Sequence, residues 1–303
     1  MITNFDALLN HALSLGRKVV AIANAQDKAA LQALTEARKL GLVEGMLFGD
    51  ERQIRSILNE LGVPDAQKIP VHHFPTEAES VREAVKAVSN RSADILLKGR
   101  VKTSTLLKAV LDPDAGLRKG RLLSDVFLFE DPARSGNQLV MITDGGVTIL
   151  PDLQQKIQII QNAVELAHFL GNSLPRVALL SAVETVMPSL PSTTEAAIIS
   201  KMNQRGQIKG CIIDGPLALD NAISPEALKI KGIQSPVEGM ADILVPPELV
   251  SANLLAKSTT YWAKFRLGHV IMGAKAPILI PSRADAPDAK LLSIAIGAIV
   301  SNR

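Results

Sequence analysis

Short runs of consecutive apolar residues alternate along this chain with segments whose apolar residues recur every three to four positions. The runs predict buried strands, and the periodic segments predict amphipathic helices. The first part of the chain is predicted to form strands over residues 17–24, 45–48, 69–74 and 94–97, and helices over residues 27–40, 51–61, 76–88 and after Thr103. Strands and helices that alternate at this spacing are typical of a parallel α/β sheet.

The middle of the chain departs from this alternation. Residues 122–130 and 138–143 read as two consecutive strands joined by the loop DPARSGN, which favours an antiparallel hairpin. The alternation then resumes, with strands over 176–180, 210–214, 242–245, 268–272 and 277–280 and helices over 152–170, 193–203, 249–263 and 288–300. We therefore expect two α/β lobes with a boundary near residues 137–150 and a cleft between them.

Composition narrows the class of protein. Of 303 residues, 47% are hydrophobic and 21% charged, which is ample for a packed core, whereas only 3% are aromatic and the net charge is +3. Few aromatic side chains and no long basic run argue against binding of nucleic acid. No apolar run reaches the length of a membrane span, the amino terminus does not resemble a signal peptide, and the single Cys211 excludes an intrachain disulfide. We expect a soluble, cytoplasmic protein.

The segment LKGRVKTS at residues 97–104 is the first candidate for chemistry. It carries three cations, a glycine and two hydroxyls directly before a helix, and this combination suits a phosphate group. The spacing differs from that of a nucleotide-binding P-loop. The competing interpretation is a solvated loop whose Ser or Thr caps the helix.

Three further polar clusters come directly after predicted strands. They are MITDGG at 141–146, GCIIDGP at 210–216 and PSRADAPD at 281–288. An aspartate at the end of a strand can order a loop, cap a helix or act as a base, and Asp288 could simply cap the final helix. The serine hydrolase pattern GxSxG and the dinucleotide pattern GxGxxG are both absent from the sequence.

Several segments taken in order resemble the phosphate acetyltransferase/phosphate butyryltransferase family. The resemblance spans residues 10–302 and is most specific in CIIDGPLALDNAIS and VIMGAKAPILIPSRADAPDAKLLSIA. The length and the SRAD sequence resemble the butyryltransferase branch. The resemblance implies a two-lobed α/β fold with mostly parallel sheets, related to the isocitrate and isopropylmalate dehydrogenases. One lobe would comprise residues 1–140 and 282–303, the other residues 141–281.

The same resemblance implies an activity and a set of partners. The reaction would be the reversible transfer of a short-chain acyl group, butyryl or acetyl, between coenzyme A and phosphate. Coenzyme A would be a substrate, with no further cofactor and no metal, and the protein would be a homodimer.

The resemblance also implies residue roles. Ser282, Arg283 and Asp288 would be catalytic, and the substrate-binding residues would be Arg100, Lys102, Thr103, Lys108, Asp144, Asp214, Asn253 and Asp285. Lys108 lies nearest the place of a family arginine, and Ala252 precedes Asn253 where the family usually has glycine. The position of the family's catalytic aspartate is Ala289, so Asp288 or Asp285 would have to serve as the base.

Two rival functions remain open at this stage. One is a non-catalytic protein that binds coenzyme A or a phosphorylated metabolite on the same fold. The other is a metal- and NAD-dependent dehydrogenase of the related fold, for which Asp214, Asp220 and Asp242 would be candidate metal ligands.

Overall fold

The computed structural model describes residues 1–134, 136–282 and 284–302. The strands are β1 (Lys18–Ala23), β2 (Val43–Gly49), β3 (Val71–His73), β4 (Ile95–Lys98), β5 (Ser124–Asp131), β6 (Gln138–Thr143), β7 (Arg176–Leu180), β8 (Ile212–Leu217), β9 (Ile243–Val245), β10 (Leu267–Met272) and β11 (Ile278–Leu279). The helices are α1 (Phe5–Ser14), α2 (Lys28–Lys39), α3 (Glu51–Glu60), α4 (Glu77–Ser89), α5 (Thr103–Val110), α6 (Leu153–Phe169), α7 (Pro191–Gln204), α8 (Leu219–Ile223), α9 (Pro225–Lys231), α10 (Leu249–Tyr261) and α11 (Pro287–Ser301).

Helix starts depend on short polar side chains that accept hydrogen bonds from the first turn. Asp27, Asp50 and Thr76 cap α2, α3 and α4 in this way, and Asp152 forms a reciprocal capping box with Gln155 at α6. The predicted helices and strands are all present. The pattern did not predict α1, α8 and α9, two of which are too short to show a helical period.

The chain forms two compact units, and the first comprises Asp6–Arg121 and Gly268–Arg303. Its strands pair in the order β3-β2-β1-β4-β11-β10, and all neighbours are parallel except β10 and β11. The final helix α11 packs against α2, β4 and β11 in this unit. The sequence predicted one apolar stripe on α11, but Leu292 to Val300 are buried on every side of the helix.

The second unit comprises Met1–Phe5 and Leu122–Leu267. Its strands pair in the order β5-β6-β9-β7-β8, with β5 and β6 antiparallel and the others parallel. The predicted hairpin is therefore confirmed, as is the α/β class with mostly parallel sheets. The units begin and end at 121/122 and 267/268, whereas the predicted lobe boundaries were 140/141 and 281/282. The hairpin as a whole, β5 as well as β6, belongs to the unit of residues 122–267.

The membrane prediction can be checked against the helices. In the part of the chain that the structure describes, no helix combines the length and the apolar character that crossing a bilayer requires.

Candidate active site

The loop after β4 is anchored by the neighbouring strand β1. The N–H of Gly99 donates to the carbonyl of Ala23 at 2.9 Å, and that of Arg100 donates to the carbonyl of Asn24 at 2.8 Å. The side-chain amide of Asn24 in turn donates to the carbonyl of Arg100. Asn24 is 5% exposed and adopts a left-handed backbone with φ of 56°. The loop conformation is therefore set by a residue 76 positions earlier in the sequence than Arg100.

The cationic side chains of this loop differ in their contacts and in their exposure. The ammonium of Lys98 lies 3.4 Å from the carbonyl oxygens of both Gly99 and Val101. The side chains of Arg100 and Lys102 are exposed, and Lys108 is exposed farther along α5. The N-cap of α5 is Lys102, and its side chain makes no capping hydrogen bond. The Ser/Thr cap considered as the alternative is therefore not the one that forms, because Thr103 is already the first helical residue.

The loop after β11 leaves the sheet beside the loop after β4. The two strands are adjacent and parallel, with Leu279 paired to Leu97, so their carboxyl ends lie at one edge of one sheet. The prediction had residues 98–104 and 282–288 facing each other across a cleft. The structure instead makes them neighbours along a single edge, within one compact unit. Adjacent parallel strands bring the loops at their carboxyl ends together without any hinge.

Within that second loop, Ser282 and Asp285 close a tight turn. The N–H of Ser282 donates to Oδ2 of Asp285 at 2.7 Å, and the N–H of Asp285 donates to the carbonyl of Ser282 at 3.2 Å. The hydroxyl of Ser282 accepts from the N–H of Ala284. Arg283, predicted to be catalytic, lies outside the described residues. The turn presents an exposed Ser282 directly before the final helix.

Asp288 does not cap the final helix, contrary to the alternative interpretation. The N-cap of α11 is Ala286, and Pro287 takes the first helical position, where its missing N–H costs nothing. Asp288 lies in the first turn with its side chain exposed. A carboxylate there is stabilised by the helix dipole and stays accessible.

His269 is a residue that sequence reasoning missed. It lies on β10, is 5% exposed, and its Nε2 is 3.7 Å from Oδ2 of Asp285. The ammonium of Lys290 donates to the carbonyl of Asp285 at 2.7 Å. Burial acts to raise the pKa of Asp285, but the nearby His269, the Ser282 N–H and Lys290 outweigh it, and the pKa is lowered. In the sequence, this residue could have been noticed only as a histidine that lies in the apolar run GHVIM of a predicted strand.

A separate group of predicted residues lies in the other unit, around Asp144. Its carboxylate accepts backbone N–H groups from Asp125, Gly146, Val147 and Thr148 at 2.9–3.1 Å. Burial, together with the lesser effect of the charge of Asp125, raises the pKa of Asp144 against the effect of those N–H groups. With its oxygens occupied in this way, Asp144 orders the loop after β6.

Asn253 joins the same group from α10. Its amide donates to the carbonyl of Gly145 at 2.8 Å. Asp214, which was predicted to lie at the end of a strand, instead lies within β8, paired in register with Ala178, and is half-buried. The strand continues through DGPL to Leu217, so this aspartate is not at the end of its strand.

The three candidate metal ligands of the rival dehydrogenase are not grouped together. Asp220 lies 2.9 Å from the ammonium of Lys231, and Asp242 accepts the N–H of Arg176 at 2.7 Å. Across residues 1–134, 136–282 and 284–302, no three His, Cys, Asp or Glu side chains are grouped so that they could hold a metal ion. This arrangement does not favour the dehydrogenase interpretation.

Comparison with known proteins decides the family. The family described as "Phosphate acetyl/butaryl transferase" matches residues 71–298. The chain belongs to this family. It is 42% identical to a phosphate butyryltransferase of Clostridium beijerinckii over 100% of this chain and 99% of that protein. It is 44% identical to a phosphate acetyltransferase of Thermotoga maritima over 97% and 98% of the respective chains.

A solved structure supports the same assignment. A branched-chain phosphotransacylase from Enterococcus faecalis V583 matches with a TM-score of 0.83 and 32% identity, covering 94% of this chain and 99% of that one. The resemblance stated from the sequence is confirmed, and this member of the phosphate acyltransferase family is an acyltransferase enzyme.

Proposed function

We propose that this protein catalyses the reversible transfer of a short-chain acyl group between coenzyme A and inorganic phosphate. The observation that carries the proposal is the pairing of β4 with β11, because it brings the cationic loop at residues 98–104 beside the loop at residues 282–288. A phosphate group held by the first loop would lie within reach of the second. Because the chain belongs to an acyltransferase family, we interpret the two neighbouring loops as the place where phosphate and the acyl group meet.

Phosphate binding would use the exposed Arg100 and Lys102 together with Thr103 at the start of α5. Charge-assisted hydrogen bonds from arginine and lysine hold phosphate oxygens, and the first-turn N–H groups of a helix add a favourable dipole. The side chain of Lys102 is exposed at the N-cap position of α5, where it can reach the ligand. From the sequence, Arg283 would add a bidentate contact.

Acyl transfer would use the second loop. When acyl phosphate is consumed, the thiol of coenzyme A gives its proton to a carboxylate and the sulfur attacks the carbonyl carbon. The carbon–oxygen bond to phosphate then breaks, and phosphate leaves with the bonding electrons. The hydroxyl of Ser282 would donate a hydrogen bond to the oxyanion that forms. This scheme needs no metal ion and no cofactor beyond coenzyme A.

We assign the base to Asp288 rather than Asp285. The carboxylate of Asp285 already accepts the Ser282 N–H and faces His269, and its pKa is lowered, which weakens it as a proton acceptor. Asp288 is exposed in the first turn of α11. Asp285 would instead shape the loop.

The acyl chain and the assembly are further parts of the proposal. The acyl group would be butyryl or acetyl, since relatives bearing each name are 42% and 44% identical to this chain. The protein would be a homodimer. Support comes from α10, where Val250, Leu254 and Tyr261 are 56%, 64% and 49% exposed and fall on one helix face.

Thiol release from acyl-CoA in the presence of phosphate tests the function. Acetyl-, propionyl- and butyryl-CoA are assayed in turn with EDTA present, and we expect phosphate-dependent thiol release from at least one of them. Ser282→Ala should lower kcat at least about tenfold, whereas Ser14→Ala on the exposed end of α1 should leave it unchanged. Binding of coenzyme A without thiol release would favour the non-catalytic alternative, and activity lost in EDTA would contradict the metal-free scheme.

A further inference from the structure

Two side chains from outside the loop hold the turn that carries Ser282: Lys290 of α11 at the carbonyl of Asp285, and His269 of β10 at its carboxylate. Oδ2 of Asp285 accepts the N–H of Ser282 at 2.7 Å and lies 3.7 Å from Nε2 of His269. The same carboxylate oxygen thus joins the backbone of Ser282 to an imidazole on a neighbouring strand. Side-chain exposure is 7% for His269 and 16% for Asp285, so water screens this contact little.

His269 is itself fixed at its backbone. Its N–H donates to the hydroxyl of Ser293 at 3.0 Å, and the strand β10 pairs with β11. All six residues of β10 are buried. The imidazole therefore extends from a buried, paired strand toward the loop, and a group supported in this way can hold its partner in a single geometry.

We propose that His269 is a positioning residue for acyl transfer, which holds Asp285 and, through it, the backbone of Ser282. The proposal rests on the proposed function, because it assumes that Ser282 acts on the acyl group. Loss of the imidazole would leave Asp285 free to turn away, and the N–H of Ser282 would lose its acceptor. The hydroxyl of Ser282 would then be displaced from the oxyanion, and small displacements of this kind are costly to the chemical step.

A matched pair of substitutions tests the contact. In His269→Gln the side-chain amide extends about as far as Nε2 and can still donate to Asp285, whereas in His269→Asn it is one methylene shorter and falls short. Both variants place an amide in the same buried position. We expect kcat to fall about 10- to 100-fold in His269→Asn, to stay within about fivefold of the parent in His269→Gln, and KM for phosphate to change less than about threefold in both.

Ser293→Ala supplies the structural control. It removes the acceptor of the His269 N–H without touching the imidazole, so it should lower the melting temperature and leave kcat within about twofold. If His269→Asn and Ser293→Ala lower kcat equally at equal loss of thermal stability, His269 is structural and the proposal is overturned. The same conclusion holds if His269→Gln is as slow as His269→Asn.

Asp285 gives a second measurement should the His269 variants not fold. Asp285→Asn keeps an oxygen for the Ser282 N–H, so it should retain more activity than Asp285→Ala, and equal losses would contradict the proposal. Where both families of variants fold, losses from His269→Asn and Asp285→Ala should not multiply in the double variant, because both act through one contact. A parent protein without thiol release would refute the proposed function instead, and this outcome is separate from any result on the variants.

Discussion

Gly99 lies so close to Asn24 that a Cβ on residue 99 would be 2.3 Å from the carbonyl oxygen of Asn24. The neighbouring carbonyl of Ala23 would be 2.8 Å from the same Cβ. Both atoms belong to the backbone and cannot rotate away. The backbone of the cationic loop can therefore follow this path only because residue 99 is a glycine.

Gly99→Ala should displace the loop that carries Arg100 and Lys102. We expect unfolding free energy to fall by about 1–3 kcal/mol, as for other overpacked sites, and kcat/KM for phosphate to fall at least about tenfold. Urea unfolding and steady-state kinetics measure the two effects. Gly41→Ala is the control, because a Cβ there meets nothing within 4 Å, so its positive-φ strain should cost stability without loss of activity.

Asp288→Asn should slow acyl transfer if Asp288 is the base. We expect kcat to fall about 100-fold or more, with binding of coenzyme A nearly unchanged, since the amide keeps the size of the side chain but accepts no proton. Steady-state kinetics and calorimetric titration with coenzyme A separate the two quantities. A larger loss in Asp285→Asn than in Asp288→Asn would transfer the role to Asp285, against the assignment made from the occupied carboxylate.

The raised pKa of Asp144 predicts a pH-dependent stability difference. A carboxyl whose folded pKa lies above its ordinary value of 3.8 contributes stability that is fully present below that value and is lost as the pH rises through the folded pKa. The stability of the parent relative to Asp144→Asn should therefore decline as the pH increases above about 4. Urea unfolding of both proteins between about pH 4 and 8 measures this difference.

Asp50 gives the opposite sign when the same unfolding experiment is extended below about pH 4. The backbone N–H of Gln53 donates to the carboxylate of Asp50 at the start of α3, and this hydrogen bond is the largest of the effects that lower the pKa of Asp50. Its contribution is present above the ordinary value and is lost as the pH falls through the lowered pKa. Each variant gives a stability difference from the parent that changes with pH. If this difference changed in the same direction for Asp144→Asn and Asp50→Asn, burial would not be the cause of the raised pKa of Asp144.

Leu254→Glu should disrupt the proposed homodimer. Placing a charge in the centre of an apolar face is costly only if a partner covers that face. We expect the variant to elute as a monomer in size-exclusion chromatography with light scattering, while the parent elutes as a dimer. Leu40→Glu, at an exposed position of 48% in the other unit, should leave the assembly unchanged, and a monomeric parent would refute the proposal directly.

The sequence was most informative about elements, because local patterns specify them. Alternating apolar runs and periodic segments located every strand, including the hairpin of β5 and β6. The patterns were less informative about the residues at which strands end. Asp214 was expected at the end of its strand, yet β8 continues through Gly215 and Pro216, a continuation that depends on pairing with β7 and not on local propensity.

For the site, the sequence alone determined the candidate residue types and their order, and with them the family resemblance. The cations at 98–102 and the SRAD segment are visible in a row of letters, because each cluster is contiguous. Tertiary structure decided which clusters meet. β4 and β11 are far apart in sequence, and only their parallel pairing brings the two loops to one edge. Likewise, Asn24 holds a loop that comes 76 positions later in the chain, and His269 meets Asp285 only because its strand lies beside the strand that leads into the loop. Such contacts depend on how strands are ordered in a sheet, which is set by the packing of the whole unit and leaves no local pattern to read.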